Sequence, residues 1–513
     1  MKLKLFMLGA LAALAVAACT KDNAPAGTTP GGDEVTVAGA SYLKVNFVTP
    51  GKLTTRADAE GDAFEYGTDA ENAVTSGTLF FFDGTTQVAD PFDLSSLTWD
   101  GKTTPSIEKA SGIVVVLENP LKNPTSVVAV LNASLDELGL SKSSTLDDIK
   151  AVLKDFATER TTEGKFVMSS SAYKGAENDV AAKIETVYKT REEAEKAASV
   201  KVPVERVVAK VEVDATNPTM NLANGETAAS NTVNIDGKDV EITATVDGFW
   251  FDNAATKSLL LKDISDNADA DNDATNFRSY WAKSGATAWA HGTLSDAKEG
   301  PQYVQENTAK DSTQVVVAVT LKAGENALEL VKHLGKLYTE KGFATEITNL
   351  LAHKYYTKSG DTYTSVGAND IKVTYVKTNL PDGVTLKSYE AYAQVEKASA
   401  DATFYVKNAS GEYVAAADAD VTADLKGYVV QRWEGGAAYY FVPIKHDADR
   451  FGVIRNHVYK LNVKSINGLG TPVPFKDVDK IIPEIPEETE TYISAEIDIL
   501  AWKIVEQNVD LGK

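Results

Sequence analysis

Apolar and polar residues alternate with a period of two in many short segments of this chain, and clusters of Gly, Asn, Asp and Thr separate them. The clearest are TLFFFD (Thr78–Asp83), GIVVVLEN (Gly112–Asn119), SVVAVLNAS (Ser126–Ser134), VERVVAKVEV (Val204–Val213), VEITATVDGFW (Val240–Trp250), TQVVVAVTLK (Thr313–Lys322) and HVYKLNVKSI (His457–Ile466). A period of two sends successive side chains to opposite faces of a strand, so repeated short segments with turn residues between them predict an all-β sandwich fold. Helical spacing is rare. It predicts short helices over Ser144–Phe156, over the polar stretch Thr190–Ala198 and over Glu325–Tyr338.

The two ends of the chain carry similar strands. In YLKVNFV, Leu43, Val45 and Phe47 alternate with Lys44 and Asn46, and the loop TPGKLTTRADAEGDA that follows contains Arg56, the first arginine in the sequence. At the far end PVPFKDVDKIIPEIPEETET (Pro472–Thr491) is rich in Pro and Glu. Proline cannot donate to a ladder, so this stretch reads as an extended spacer. Beyond it, in YISAEIDILAWKIVEQNVDL, Ile493, Ala495, Ile497 and Ile499 alternate with Ser494, Glu496 and Asp498, with Trp502 just beyond. Set apart by the spacer, this last strand is expected to have nothing local to pair with; the alternative is that it pairs within its own C-terminal domain. Each end strand suits the same kind of groove.

At 513 residues the chain has room for two or three domains. A boundary near residue 200 is expected where the charged segment YKTREEAEKAASVKVP gives way to a new series of strands. With 43% hydrophobic residues, 24% charged and a net charge of -22, the composition is that of a folded, acidic protein. Nucleic-acid binding needs clustered Lys and Arg, and none is present.

The start, MKLKLFMLGALAALAVAACTKDN, has a basic n-region, an apolar run from Leu5 to Ala18, and then Cys19. An apolar run of about 14 residues is short for a membrane-spanning helix and reads as an export signal. Val16, Ala17 and Ala18 before Cys19 resemble a bacterial lipobox, which makes Cys19 a lipidation site. It is the only cysteine, so disulfides are excluded. One acyl-bearing residue anchors an exported chain to a membrane while the rest stays in water. Residues 20–41, rich in Gly, Pro, Thr and Ala, read as a flexible tether, and the KDN after Cys19 resembles a surface-export tag.

Candidate chemistry is sparse. The five histidines, His291, His333, His353, His446 and His457, are scattered with no metal-ligand spacing. Nucleophile-elbow and phosphate-loop motifs are missing, so no catalytic residues and no cofactor are expected. The best metal candidate is DADNDATNFRSY, where Asp269, Asp271 and Asp273 match the first three ligand positions of an EF-hand loop. Ala274 stands where the turn needs Gly, and Tyr280 where a bidentate Glu is needed, so a solvated acidic loop is the plainer reading. Trp250, Trp281 and Trp289 suit either core packing or stacking on a sugar.

Taken together, the lipobox Cys19, YLKVNFVTPGKLTTRADAEG, GTDAENAVTSGTLFFFD (Gly67–Asp83), VERVVAKVEV, VIRNHVYKLNVKSINGLG and SAEIDILAWKIVEQNVDL resemble the fimbrillins of Bacteroidales, specifically the shaft subunit of the short or minor fimbriae. The resemblance implies two tandem transthyretin-like β-sandwich domains with a few short helices. Its divisions are a signal peptide at 1–18, a propeptide at 19–56, domains at 57–200 and 201–470, a spacer at 471–491 and a tethered donor strand at 492–513. A lipoprotein signal peptidase acts before Cys19, and a surface protease of arginine specificity cuts between Arg56 and Ala57. The displaced strand, with Leu43, Val45 and Phe47, leaves a groove for the next subunit's donor strand, with Ile493, Ala495, Ile497, Ile499 and Trp502. The product is a head-to-tail filament at the cell surface, grown from a precursor lipid-anchored at the outer membrane. It has tip and anchor proteins as partners and supports adhesion to host or bacterial receptors. The alternatives are a tip or anchor subunit of the same fimbrium, or a surface glycan-binding lipoprotein that never polymerises.

Overall fold

The computed structural model describes residues 39–48, 67–94, 113–118, 120–158, 160–162, 165–171, 180–214, 219–222, 230–263, 282–283, 285, 287–293, 296–309, 312–351, 353–446 and 450–476, and the backbone of 492–500 and 505–507. Seven strands of the N-terminal part share a sheet: β1 (Ser41–Val48), β2 (Gly77–Asp83), β3 (Thr86–Asp93), β4 (Ile113–Leu117), β5 (Ser126–Leu131), β6 (Met168–Ser170) and β7 (Val200–Arg206). Their order is β3-β2-β5-β6-β7-β1-β4, with Ala182–Lys183 also paired to β5. Leu79, Phe80, Phe81 and Phe82 in β2 are all fully buried. An uninterrupted apolar run suits a strand covered on both faces, as this one is. Most of these side chains join one core with Leu43, Val45, Phe47, Val115 and Ile149.

The helix expected over Ser144–Phe156 is confined to Leu146–Lys150, where Thr145 and Asp148 form a capping box, and the chain then extends into the two-residue strand Leu153–Lys154. The helix expected near Thr190 is present as Arg191–Lys196, capped by Thr190.

The segment VERVVAKVEV, read as one strand, is two. β7 ends at Arg206, Val207 bends, and β8 (Val208–Asp214) begins in a different sheet. Across that residue the backbone partner changes from Val167 to the far C-terminal part: Val207 N–H donates to Val167 O at 3.1 Å, and Asn456 N–H donates to Val208 O at 2.8 Å. The C-terminal part continues with β9 (Thr243–Asp252), β10 (Gln302–Gln305), β11 (Gln314–Ala323), β12 (Ala437–Pro443), β13 (Val458–Asn467), β14 (Tyr492–Leu500) and β15 (Val505–Gln507). One sheet runs β10-β8-β13-β14-β15, and a second runs β9-β11-β12 with Thr471–Pro472 at its end. Alternate residues of the two sheets, such as Val315, Val317, Val319, Tyr440 and Leu461, fill the core between them.

Between β11 and β12 the chain builds a third core. Glu325–Tyr338, expected to be helical, is instead strand and turn: Leu330–His333 pairs antiparallel with Lys336–Thr339. The two-residue apex, Leu334 at φ 49 and Gly335 at φ 78, has the left-handed backbone of a tight hairpin turn. The apolar spacing of LELVKHL fits a short strand as well as a helix, and the turn at Leu334–Gly335 decides between them. The helix lies one element later, Glu340–Leu350, capped by Thr339, with Phe343 and Ile347 in the third core. A separate four-stranded sheet, in the order Thr362–Ser365, Tyr356–Ser359, Tyr405–Lys407, Tyr413–Ala415, sits beside this core.

Candidate functional site

β1 lies inside its sheet, between two strands of opposite sense. It pairs antiparallel with β4, Leu43 opposite Val115, and parallel with β7, Phe47 opposite Val202. The alternation read in the sequence is the alternation of burial: Ser41, Leu43, Val45 and Phe47 are buried, while Tyr42, Lys44 and Asn46 are half-buried. Two further ties hold the strand. Tyr42 and Tyr188 exchange backbone hydrogen bonds of 2.8 and 2.7 Å, and Lys44 Nζ donates to Glu195 O at 3.1 Å from the helix Arg191–Lys196. β4 ends the sheet and has β1 as its strand partner. Withdrawing β1 would therefore open a slot along Val200–Pro203 and strip three apolar side chains from the core, each worth about 1.5–3 kcal/mol of burial.

The last strand does not stand alone, as its spacer led us to expect. β14 pairs antiparallel with β13 of the same chain over nine positions, from Tyr492 opposite Asn467 to Leu500 opposite Val458, with one bulge between Val463 and Ser465. β15 pairs in turn with β14. Ile493, Ala495, Ile497 and Ile499 stand in register with Ile466, Val463, Leu461 and Tyr459, all buried positions of β13. The proline-rich connection does not prevent this, because β13 otherwise offers a free ladder edge beside β8, and an unpaired edge recruits any strand within reach.

Cys19, Arg56, Ala57 and Trp502 lie outside the described residues, as do Asp269, Asp271 and Asp273. Among the described residues no group of His, Cys, Asp and Glu has the arrangement of a metal site. Three of the histidines occupy unrelated places, whereas His446 and His457 meet at 5.3 Å. His291 Nδ1 lies 2.6 Å from Asp252 Oδ1. Burial holds the His333 ring, packed against Phe343 and Tyr428, below its usual pKa. His353 is exposed, whereas His446 and His457 are buried beside Tyr459. Trp250 is a core residue, edge-on to Tyr439 at 4.8 Å, and Trp289 is half-buried. Trp281 lies outside the described residues.

Sequence reading missed a group of buried charges where the chain passes from the first sheet to the second. Glu71, in a short helix just before β2, receives the Tyr303 hydroxyl at 2.6 Å and the Lys210 ammonium at 3.2 Å. Arg206 donates to Glu71 O at 2.8 Å, to Asn456 Oδ1 at 3.3 Å and to Asn72 Oδ1. Burial alone would raise the Glu71 pKa, but the bonds from Tyr303 and the Thr68 N–H, with Lys210 and Arg206 nearby, bring it below its ordinary value. Burial lowers Arg206 to about 10, and burial with the Glu71 carboxylate pushes the Tyr303 hydroxyl far above its usual range. Alongside, Arg455 holds Glu306 through two contacts of 3.0 and 2.8 Å and donates to the carbonyls of Leu259 and Leu260 at 2.6 and 2.9 Å. Lys262 Nζ meets Glu205 Oε2 at 3.0 Å, and burial raises the Glu205 pKa. The available signal was Glu205, Arg206 and Lys210 in the otherwise apolar VPVERVVAKV, since charges inside a two-sided strand need buried partners.

Comparison with known families resolves the C-terminal part of the chain. Residues 431–508 match the family described as major fimbrial subunit protein type IV, fimbrillin, C-terminal. This stretch is similar to a fimbrillin C-terminal region. The matched stretch spans β12, β13, β14 and β15, so the last strand and its partner lie within the fimbrillin region. No curated protein matches the sequence. Among solved structures, a Parabacteroides distasonis protein assigned to cell adhesion aligns at 12% identity and TM-score 0.42, over 92% of this chain and 99% of its own. The tip fimbrial protein Mfa3 of Porphyromonas gingivalis, with a C-terminal truncation, aligns at 12% identity and TM-score 0.32, over 90% and 100%. A fimbrial assembly protein of Parabacteroides distasonis aligns at 13% identity and TM-score 0.29, over 75% and 100%. A fimbrillin C-terminal region is that of a fimbrial subunit, a component of a cell-surface appendage.

Proposed function

We propose that this chain is a structural subunit that polymerises head to tail by strand exchange. An arginine-specific surface protease cuts between Arg56 and Ala57, β1 departs, and β14 of the next subunit enters the slot between β7 and β4. The observation that carries this reading is the fit of β1: four alternating buried positions, Ser41 to Phe47, on a strand paired with β4 over Ser41–Val45 and with β7 over Val45–Val48. β14 offers the matching set of four, Ile493, Ala495, Ile497 and Ile499, on a strand of nine residues against the eight of β1. Because slot and donor lie at different places on the subunit, the contact is heterologous and propagates as an open filament. Cys19 anchors the precursor by its lipid at the outer membrane, and tip and anchor proteins complete the fibre. The finished appendage supports adhesion and biofilm or host attachment, and the chain has no enzymatic role.

A second reading draws on the pairing of β14 with β13. A subunit whose last strand stays in its own sheet donates nothing onward, which suits a tip or otherwise terminal position. Protein sheared from cells separates the two. A mature N-terminus at Ala57 and a ladder of subunit multiples that survives detergent and heating are expected for the shaft. An Ala57 start without a ladder supports the terminal role, and Cys19 retained on every copy in the fibre refutes the maturation scheme.

A further inference from the structure

The four-stranded sheet beside the third core presents one face with an uncommon composition. Strand pairing places Tyr356, Tyr363, Tyr405 and Tyr413 on the same side, together with Lys358 and Lys407. The rings form a block: Tyr363 and Tyr413 stack at 4.1 Å and 3°, Tyr356 meets Tyr413 at 4.9 Å, and Tyr363 meets Tyr405 at 5.1 Å. Lys358 lies over Tyr363 at 5.4 Å, and Lys407 over Tyr413 at 5.1 Å. Both lysines are exposed, and among the described residues neither forms an ion pair. The opposite side of the sheet packs Val406 on the third core, so the tyrosine side faces away from it.

We infer that this tyrosine–lysine face binds the acidic proline-containing segment 483–491 of the same chain, PEIPEETET. The segment pairs two prolines at P-x-x-P spacing, Pro483 and Pro486, with four carboxylates, Glu484, Glu487, Glu488 and Glu490, and it contains no basic residue. Proline-rich segments dock on aromatic surfaces because their extended form is largely pre-set and loses little freedom on binding. The two lysines set the sign of the charge that the face accepts, and the segment carries the complementary one.

Reach favours the same chain. The described backbone breaks off at Lys476, just after Phe475, which packs against the third core, while Arg432 donates to Pro474 O at 2.8 Å, and it resumes at Tyr492 opposite Asn467. The six residues 477–482 span up to ~20 Å when extended, a distance comparable to the radius of a domain of this size. A tether that short keeps the segment at high effective concentration near the face. The proposal holds whether or not the chain polymerises, so failure of strand exchange would leave it standing.

Carbodiimide coupling of full-length protein tests it, since this reagent joins an ammonium to a carboxylate only where the two meet. Mass mapping of the monomer is expected to find Lys358 or Lys407 joined to a glutamate of 484–490. The exposed Lys196–Glu192 pair serves as the internal control. Yield of the Lys358 link is expected to fall severalfold in Lys407→Glu, which keeps the Lys358 ammonium in place. It is expected to fall severalfold in Pro483→Ala/Pro486→Ala, which leaves every charge in place. Control coupling without the predicted link would overturn the proposal. So would links found only between two copies, or a yield indifferent to the prolines.

Discussion

Glu71 is nearly inaccessible to solvent, and only its full set of partners offsets the cost of keeping its carboxylate charged there. Replacing it with Gln keeps the shape but removes the charge opposite Arg206 and Lys210, and is expected to lower stability by about 3–5 kcal/mol in thermal or denaturant unfolding. The pH dependence has a definite sign. Folding lowers the Glu71 pKa, so its contribution is complete above the unfolded value of about 4.5 and is lost as the pH falls through the folded value. Glu71→Gln should therefore flatten that acid limb of the stability curve. Lys262 and Glu205 give a complementary case, because this ion pair is equally buried and Glu205 Oε1 has no hydrogen-bond partner among the described residues. Lys262→Met alone should destabilise by about 3–5 kcal/mol by stranding the carboxylate, whereas Lys262→Met with Glu205→Leu should recover most of that loss. A double-mutant cycle measures the difference.

Among the elements, β1 was the most legible. Its period-two pattern at Leu43, Val45 and Phe47 translated directly into burial because both neighbours in the sheet hold it in one register. TLFFFD, read as a period-two segment, is instead a continuous apolar run at Leu79–Phe82, hidden because this strand is covered on both faces. LELVKHL was not legible, because over so short a stretch an apolar pattern suits strand and helix alike and the decision lay in two backbone angles at Leu334 and Gly335. The partner of the last strand was unreadable for another reason: pairing depends on which edge is open in three dimensions, and β13, on the far side of the spacer, carries no sequence mark of being that edge. The buried charges needed the passage at Val207 to become visible, because their partners come from both sides of it. Phe47→Ala should destabilise the unprocessed chain by about 3–5 kcal/mol, as for other buried aromatic truncations. It should leave the stability of the processed subunit unchanged if β1 is truly removed; calorimetry before and after protease treatment provides the check.

For the whole molecule the proposal requires two events, excision of one strand and transfer of another, and single substitutions separate them. Arg56→Gln should leave an unprocessed monomer with no ladder of multiples on denaturing gels. Ile497→Asp should be processed normally yet fail to form the ladder, because a carboxylate would enter an apolar slot unpaired. A ladder unaffected by Ile497→Asp would remove β14 from the donor role.

The bend at Val207 has a mechanical consequence. In a fibre joined as proposed, tension enters each subunit through the strand lodged against β7, crosses one covalent bend into β8, passes to β13 by their parallel pairing, and leaves along the chain towards the next subunit. Rungs of a ladder lie across the strands, so a pull along the strands loads many of them together instead of peeling them one by one. The charged cluster around Arg206 and Arg455 sits at the elbow of that line of force. On this view it works as a gusset that stops the elbow from opening when the fibre is stretched between a cell and whatever it has gripped.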